Sequence, residues 1–254
     1  MNYPLSQIPY RTEKPRTTGV TMVMDKGLGL REAADLAEIG TEFVDFIKLG
    51  FGTALLTTKL DEKLSIYRQN NIIPYFGGTL FEAFVARGDF DGYRSFVSKH
   101  KLSHVEVSDG SLEMESDIKL RYIQTLAKDF TVLSEVGSKK ADVVYTLEEW
   151  GKMMKSELEA GSVMVIAEAR ESGNIGIYNA DGSANKTLIN GIIKEIDINK
   201  ILWEAPHKAQ QTMFIKLLGS NVSLGNIAAN EVLSLETLRR GLRGDTFSDF
   251  LEGK

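Results

Sequence analysis

What most constrains this chain is a rhythm. A short β-branched or apolar run, a polar or glycine-rich turn and a helical pattern recur in that order eight times. The runs fall at residues 20–24, 43–47, 72–76, 104–107, 131–135, 163–167, 201–204 and 221–224. Helical patterns follow them, among them 30–38, 61–69, 115–128 and 146–160, while 81–99 divides at Gly88 into two short helices and 172–185 reads as a long loop. Strands joined through helices pair in parallel by right-handed crossovers, and eight such units predict a single (β/α)8 TIM barrel of the α/β class. A doubly wound open sheet would want a G-x-G-x-x-G turn after its first strand, and that turn is absent. The 254 residues suit one barrel of roughly 250 residues, and no linker or low-complexity tract divides them. Residues 1–254 therefore read as one domain, with 1–18 as an N-terminal extension leading into strand one.

Barrel chemistry gathers at the carboxyl ends of the strands. Nearly every predicted strand end here carries an ionisable residue. The acids are Asp25, Asp45, Glu82, Glu106, Asp109, Glu135, Glu168, Glu171 and Glu204; the bases are Lys26, Lys48, Lys139 and Arg170. Any one acid more often caps the next helix or joins a salt bridge. So many at one mouth exceed what a scaffold needs, because a buried unpaired charge is costly, and the set reads as an active site. With no cysteine and no metal spacing among the histidines, these carboxylates select a hard, oxygen-preferring cation, Mg²⁺ before zinc. His100 reads as a helix-surface residue, His104 as a strand start at the far end of the barrel, and His207 as a candidate substrate contact.

Glycine turns add an anion signal. Gly50-Phe-Gly52-Thr53, Gly77-Gly78-Thr79 and Gly225-Asn226 would let backbone N–H groups approach a charged ligand closely. The turn after strand eight is a common phosphate site in barrels, and Leu224-Gly-Asn-Ile227 falls there, although a lone glycine more often marks a bare turn. The net charge of −5 argues against nucleic acid as a partner. No stretch approaches the roughly 18 residues of a membrane span, and no leader pattern is visible, so the cytoplasm is the expected location. No nucleophile elbow or P-loop is present. The residues alone thus predict a Mg²⁺-assisted barrel enzyme acting on a small anionic, phosphorylated molecule.

Taken together the strand-end motifs are more specific. Arg11-x-x-Lys14-Pro15-Arg16-x-x-Gly19, Asp25-Lys-Gly-Leu-Gly29, Asp45-Phe-Ile-Lys48-x-Gly50-x-Gly52-Thr53 and Gly77-Gly-Thr-Leu-Phe-Glu82 resemble the phosphosulfolactate synthase family. So do Val105-Glu-Val-Ser-Asp-Gly110, Ser134-Glu-Val-Gly137-x-Lys139, Glu168-Ala-Arg-Glu-Ser-Gly173, Leu224-Gly-Asn-Ile227 and Leu242-Arg-Gly-Asp-Thr-Phe247. The resemblance implies Mg²⁺-dependent addition of sulfite to phosphoenolpyruvate, giving (2R)-3-phosphosulfolactate, a precursor of coenzyme M in methanogens. It implies Lys139 as the general acid, with Lys140 as its alternative, and Lys48 and Glu135 beside it in catalysis. Asp25, Glu106, Asp109 and Glu168 are then the expected metal ligands. Arg16, Lys26, Arg170, Gly225 and Asn226 are the expected substrate contacts. Other readings are a barrel lyase or isomerase acting on another phosphorylated carboxylate, and a non-catalytic stress-associated relative. The expected partners are phosphoenolpyruvate and sulfite, with no nucleic acid or membrane, in a homo-oligomer.

Overall fold

The computed structural model describes residues 2–138, 143, 145–169 and 172–251. Its strands are β1 (Thr21–Asp25), β2 (Phe46–Leu49), β3 (Ile73–Phe76), β4 (His104–Val107), β5 (Thr131–Val136), β6 (Ser162–Ala167), β7 (Ile201–Glu204) and β8 (Leu224–Ala228). The helices that alternate with them are α1 (Leu30–Gly40), α2 (Leu60–Gln69), α3 (Gly78–Val85), α4 (Phe90–Lys99), α5 (Ser116–Leu126), α6 (Leu147–Glu159), α7 (Lys186–Glu195), α8 (Lys208–Leu218) and α9 (Val232–Arg239). The strands pair in parallel in the order β3-β2-β1-β8-β7-β6-β5-β4. β3 packs beside β4, so the two ends of the sheet nearly meet in an eight-stranded barrel. The division of residues 81–99 at Gly88 is observed as the break between α3 and α4.

Alternation along each strand sorts side chains into two cores. Met22, Phe46, Tyr75, Leu133, Met164, Ile166 and Leu202 fill the barrel interior. Val23, Ile47, Val136, Val165, Ile201 and Trp203 point the other way and pack under the helices. Local sequence fixes helix starts. Thr146 accepts from the Glu149 N–H while the Glu149 carboxylate accepts from the Thr146 N–H, a reciprocal cap for α6.

Two strands begin three residues later than the apolar runs predict. β2 starts at Phe46 because Asp45 is used at a corner, where its Oδ2 accepts from the Thr21 N–H at 2.9 Å and its Oδ1 pairs with Arg16 at 3.1 Å. β8 starts at Leu224, so Gly225 and Asn226 lie inside the strand rather than in the turn after it. Pairing with β1 steps from Thr21↔Leu224 to Val23↔Ile227, which places one extra residue in β8. Asn226 takes the left-handed conformation at that bulge, with φ +57°. Gly225 is required by close packing, since a Cβ there would lie 2.9 Å from Met22 Cε and 3.2 Å from Leu202 Cγ. Gly225→Ala should cost about 1–3 kcal/mol by overpacking the barrel interior, read as a shift in the denaturant midpoint.

Candidate active site

Residue parity decides what reaches the barrel mouth. The inward phase of β2 runs Phe46, Lys48; that of β4 runs His104, Glu106; β5 gives Leu133, Glu135, and β7 gives Leu202, Glu204. Glu168 follows β6 in the phase of Met164 and Ile166. Lys48, Glu135, Glu168 and Glu204 each sit one step above an apolar interior residue and Glu106 one step above His104, so one cluster forms at the carboxyl end. The Lys48 ammonium lies 2.8 Å from Glu106 Oε1, 3.4 Å from Glu135 Oε2 and 3.6 Å from Glu204 Oε1. Glu106 Oε1 also accepts from the Gly78 N–H at 2.6 Å, tying β4 to the start of α3. Glu204 Oε2 accepts from the Ala169 N–H at 3.2 Å, which links β7 to the segment after β6. Lys48, Glu135, Glu168 and Glu204 open into a pocket of about 720 Å³ lined also by Met24, Phe51, Thr79, Ser111, Ser172 and Asn226.

Burial alone would lower the Lys48 pKa, but Glu106, Glu135 and Glu204 outweigh it and raise the pKa well above the ordinary lysine value. Lys48 is therefore a fixed positive charge at neutral pH. Burial raises the Glu204 carboxyl; Lys48 opposes this, and Glu135 and Glu106 add to it. Burial and the Glu106 charge push the Tyr75 phenol well above its usual range, so Tyr75, the register partner of Lys48 on β3, stays protonated. Glu135, Glu168 and Glu204 each offer a carboxylate oxygen within 4.8 Å of the others. Three oxygen donors converging in a cluster where four carboxyls face one described ammonium suit a hard divalent cation.

The structure brings together Lys48, Glu106, Glu135 and Glu168 from the expected set, and Asn226 lines the same pocket. Asp25 lies on the outward face of β1 and is fully buried there. Its Oδ1 accepts from the N–H groups of Gly27 and Leu28 at 2.8 and 2.7 Å, and its Oδ2 from Lys63 and Tyr67 at 3.0 and 2.9 Å. Asp25 thus shapes the β1–α1 turn and does not join the acidic trio. Removing its charge from that buried pair, as in Asp25→Asn, should cost about 3–5 kcal/mol in denaturant unfolding. Asp109 is paired with Lys119 at 2.8 Å; Lys119 also holds Glu157 at 2.7 Å and the Glu135 carbonyl at 2.6 Å behind β5. Arg16 lies at the opposite, amino-terminal end, bonded to Asp45, Thr12 and Glu42. Lys26 is exposed on the β1–α1 turn. Lys139, Lys140, Arg170 and Glu171 lie outside the described residues.

Other expectations change place. Glu82 belongs to α3, where it accepts from Ser108 Oγ and from the Ser111 N–H at 2.9 Å. His100 is buried at the end of α4, its Nδ1 2.6 Å from Asp61 Oδ1, rather than on a helix surface. His104 sits at a strand start as expected, and burial lowers its pKa to about 4. His207 precedes α8, with Nε2 3.0 Å from the Ser172 carbonyl. Ser111 and Ser172 enter the mouth without having been singled out as site residues, Thr79 comes from one of the glycine turns, and Glu204, counted among the strand-end acids but not among the expected ligands or contacts, joins the cluster through the parity it shares with Leu202.

A family model described as (2R)-phospho-3-sulfolactate synthase (ComA) matches residues 9–245. The chain belongs to the phosphosulfolactate synthase family. Phosphosulfolactate synthases of Bacillus subtilis and Methanothermobacter thermautotrophicus are 41% and 42% identical to it, over 95% and 94% of this chain and 97% and 95% of those proteins. The phosphosulfolactate synthase of Methanocaldococcus jannaschii is 42% identical over 90% of this chain and 94% of its own. The phosphosulfolactate synthase barrel is also shared in outline by the YdjI aldolase of Escherichia coli, at a TM-score of 0.57 and 11% identity over 93% of this chain and 90% of that one. A 3-hexulose-6-phosphate synthase of Salmonella typhimurium gives 0.56 and 14% over 86% and 97%. At such identities the likeness concerns fold alone. This phosphosulfolactate synthase family member is thus an enzyme, and no helix among the described residues is long and apolar enough to cross a membrane.

Proposed function

We propose that the chain adds sulfite to phosphoenolpyruvate, giving (2R)-3-phosphosulfolactate, with Mg²⁺ held by Glu135, Glu168 and Glu204. The observation that carries this is the family match over residues 9–245, and the acidic trio beside a buried ammonium supports it. The sulfur lone pair forms a bond to the methylene carbon, the double-bond pair moves toward the carboxylate-bearing carbon, and that carbon then takes one proton. When bound, Mg²⁺ would neutralise the charge growing on the substrate carboxylate, which favours the transition state over the ground state.

The chain's own groups divide the remaining work. Lys48, held as an ammonium by its neighbours, stabilises negative charge and does not supply the proton. Lys139 is the proton donor on this reading, with Lys140 as its alternative, and Arg170 and Lys26 offset the phosphate and sulfite charges. Glu106 fixes Lys48 and the start of α3 in one stroke. On this reading the enzyme works in the cytoplasm as a homo-oligomer. The test is consumption of phosphoenolpyruvate by the purified protein with Mg²⁺. Loss of substrate only when sulfite is present supports the proposal, and loss without sulfite points to a lyase or isomerase acting on the same phosphorylated carboxylate.

A further inference from the structure

Five non-glycine residues have positive φ among the described residues. Asn71 and Lys101 follow the carboxyl ends of α2 and α4, where a left-handed residue commonly closes a helix. Gln7 lies in the N-terminal extension. The other two, Phe51 and Asn226, both line the mouth. Asparagine tolerates this conformation; phenylalanine does not.

Phe51 and Gly52 are the central residues of a tight turn, with φ +55° and +68°. The Thr53 N–H closes it on the Gly50 carbonyl at 3.0 Å, and Thr53 Oγ1 donates to the same oxygen at 2.8 Å. Two positive φ values make this a type I′ turn, whose central positions favour glycine, asparagine and aspartate. Phenylalanine there is strained by roughly 1–2 kcal/mol. Nor does packing offset the strain, since the side chain remains 53% exposed. The turn is anchored on the barrel top, where the Gly50 N–H donates to the Asp25 carbonyl at 3.0 Å and Gly50 packs against the Met24 side chain, a Cβ there lying 2.6 Å from Met24 Sδ. A rigid turn thus presents a strained, half-exposed ring at the rim of the charged pocket. Strain of this kind concentrates at functional sites.

We infer that Phe51 is a substrate-covering residue, whose ring shields the apolar methylene end of bound phosphoenolpyruvate from water while the carbon–sulfur bond forms. The inference rests on the addition reaction proposed above. Its test compares Phe51→Ala, Phe51→Gly and Phe51→Trp with the unaltered protein in sulfite-dependent turnover and thermal unfolding. Losing the ring should lower kcat/KM roughly 10- to 100-fold, the range expected for an apolar contact of this size. Phe51→Gly should show that loss with a thermal midpoint no lower than that of the unaltered protein, because glycine relieves the turn strain. Phe51→Trp should keep kcat/KM within about threefold, and its added indole emission should change when phosphoenolpyruvate is titrated in. Turnover of Phe51→Ala within twofold of the unaltered protein overturns the inference while leaving the reaction intact. So does a loss of activity in Phe51→Gly matched by a fall in its thermal midpoint. An unaltered protein that shows no sulfite-dependent turnover overturns the reaction reading and this inference with it.

Discussion

Lys48→Met should lower kcat/KM by about 10³-fold and destabilise the fold by about 3–5 kcal/mol at neutral pH. Both effects have one origin. Lys48 is the described cation within reach of Glu106, Glu135 and Glu204, and all four groups are buried. Methionine fills the space of the stem but leaves three carboxyls facing one another. The pH dependence follows from the directions of the shifts. Lys48 has its pKa raised in the folded protein, so its stabilisation is complete below the unfolded lysine pKa and is lost only as pH rises through the folded value. In Lys48→Met the deficit arises instead because Glu204, its carboxyl already raised by burial, loses the ammonium that opposed that rise. It should therefore shrink as pH falls and Glu204 protonates. Denaturant unfolding between pH 5 and 8 reads this, and a variant as stable as the unaltered protein at neutral pH would contradict the buried-charge account.

Glu204→Gln should move function and stability in opposite directions. Mg²⁺ affinity should fall about 100-fold or more in calorimetric titration, because glutamine keeps an oxygen but loses the charge that draws a hard cation. Turnover should fall with it. The metal-free protein should meanwhile become more stable at neutral pH. Burial, followed by the charges of Glu135 and Glu106, raises the Glu204 carboxyl against the pull of Lys48, so ionising it in the fold costs free energy that glutamine avoids. The same raised carboxyl makes Mg²⁺ binding by the unaltered protein weaken as pH falls, since a proton competes for Glu204. Glu204→Gln should flatten that dependence. Unchanged Mg²⁺ affinity in this variant would remove Glu204 from the metal site.

The barrel was legible because its signal is repeated: eight alternations leave few topologies, and losing register at β2 and β8 did not disturb the count. The acidic mouth was legible as a set but not residue by residue. Asp25 and Glu135 look alike as strand-end acids, yet one follows Met24 on the outward phase and the other follows Leu133 by two on the inward phase. Parity therefore separates them, and it also favours Glu204 over Asp109, which lies beyond β4 and pairs with Lys119. Such a rule needs the strand start to be right, and the apolar run at 221–224 misplaced β8 by three residues. Arg16 was harder to place, because its destination depends on how the extension crosses the amino-terminal end of the barrel to reach Asp45. No local pattern encodes that path. Phe51 in a left-handed turn is likewise a tertiary fact, set by Gly50 packing on Met24.

The central claim is carbon–sulfur bond formation on an intact phosphoenolpyruvate skeleton. Phosphorus NMR of the purified protein with phosphoenolpyruvate, sulfite and Mg²⁺ tests it most directly. The account predicts that the phosphoenolpyruvate resonance is replaced by one phosphate-ester resonance, with a product mass equal to substrate plus one sulfite and one proton. Release of inorganic phosphate, or the same product signal without sulfite, would contradict it.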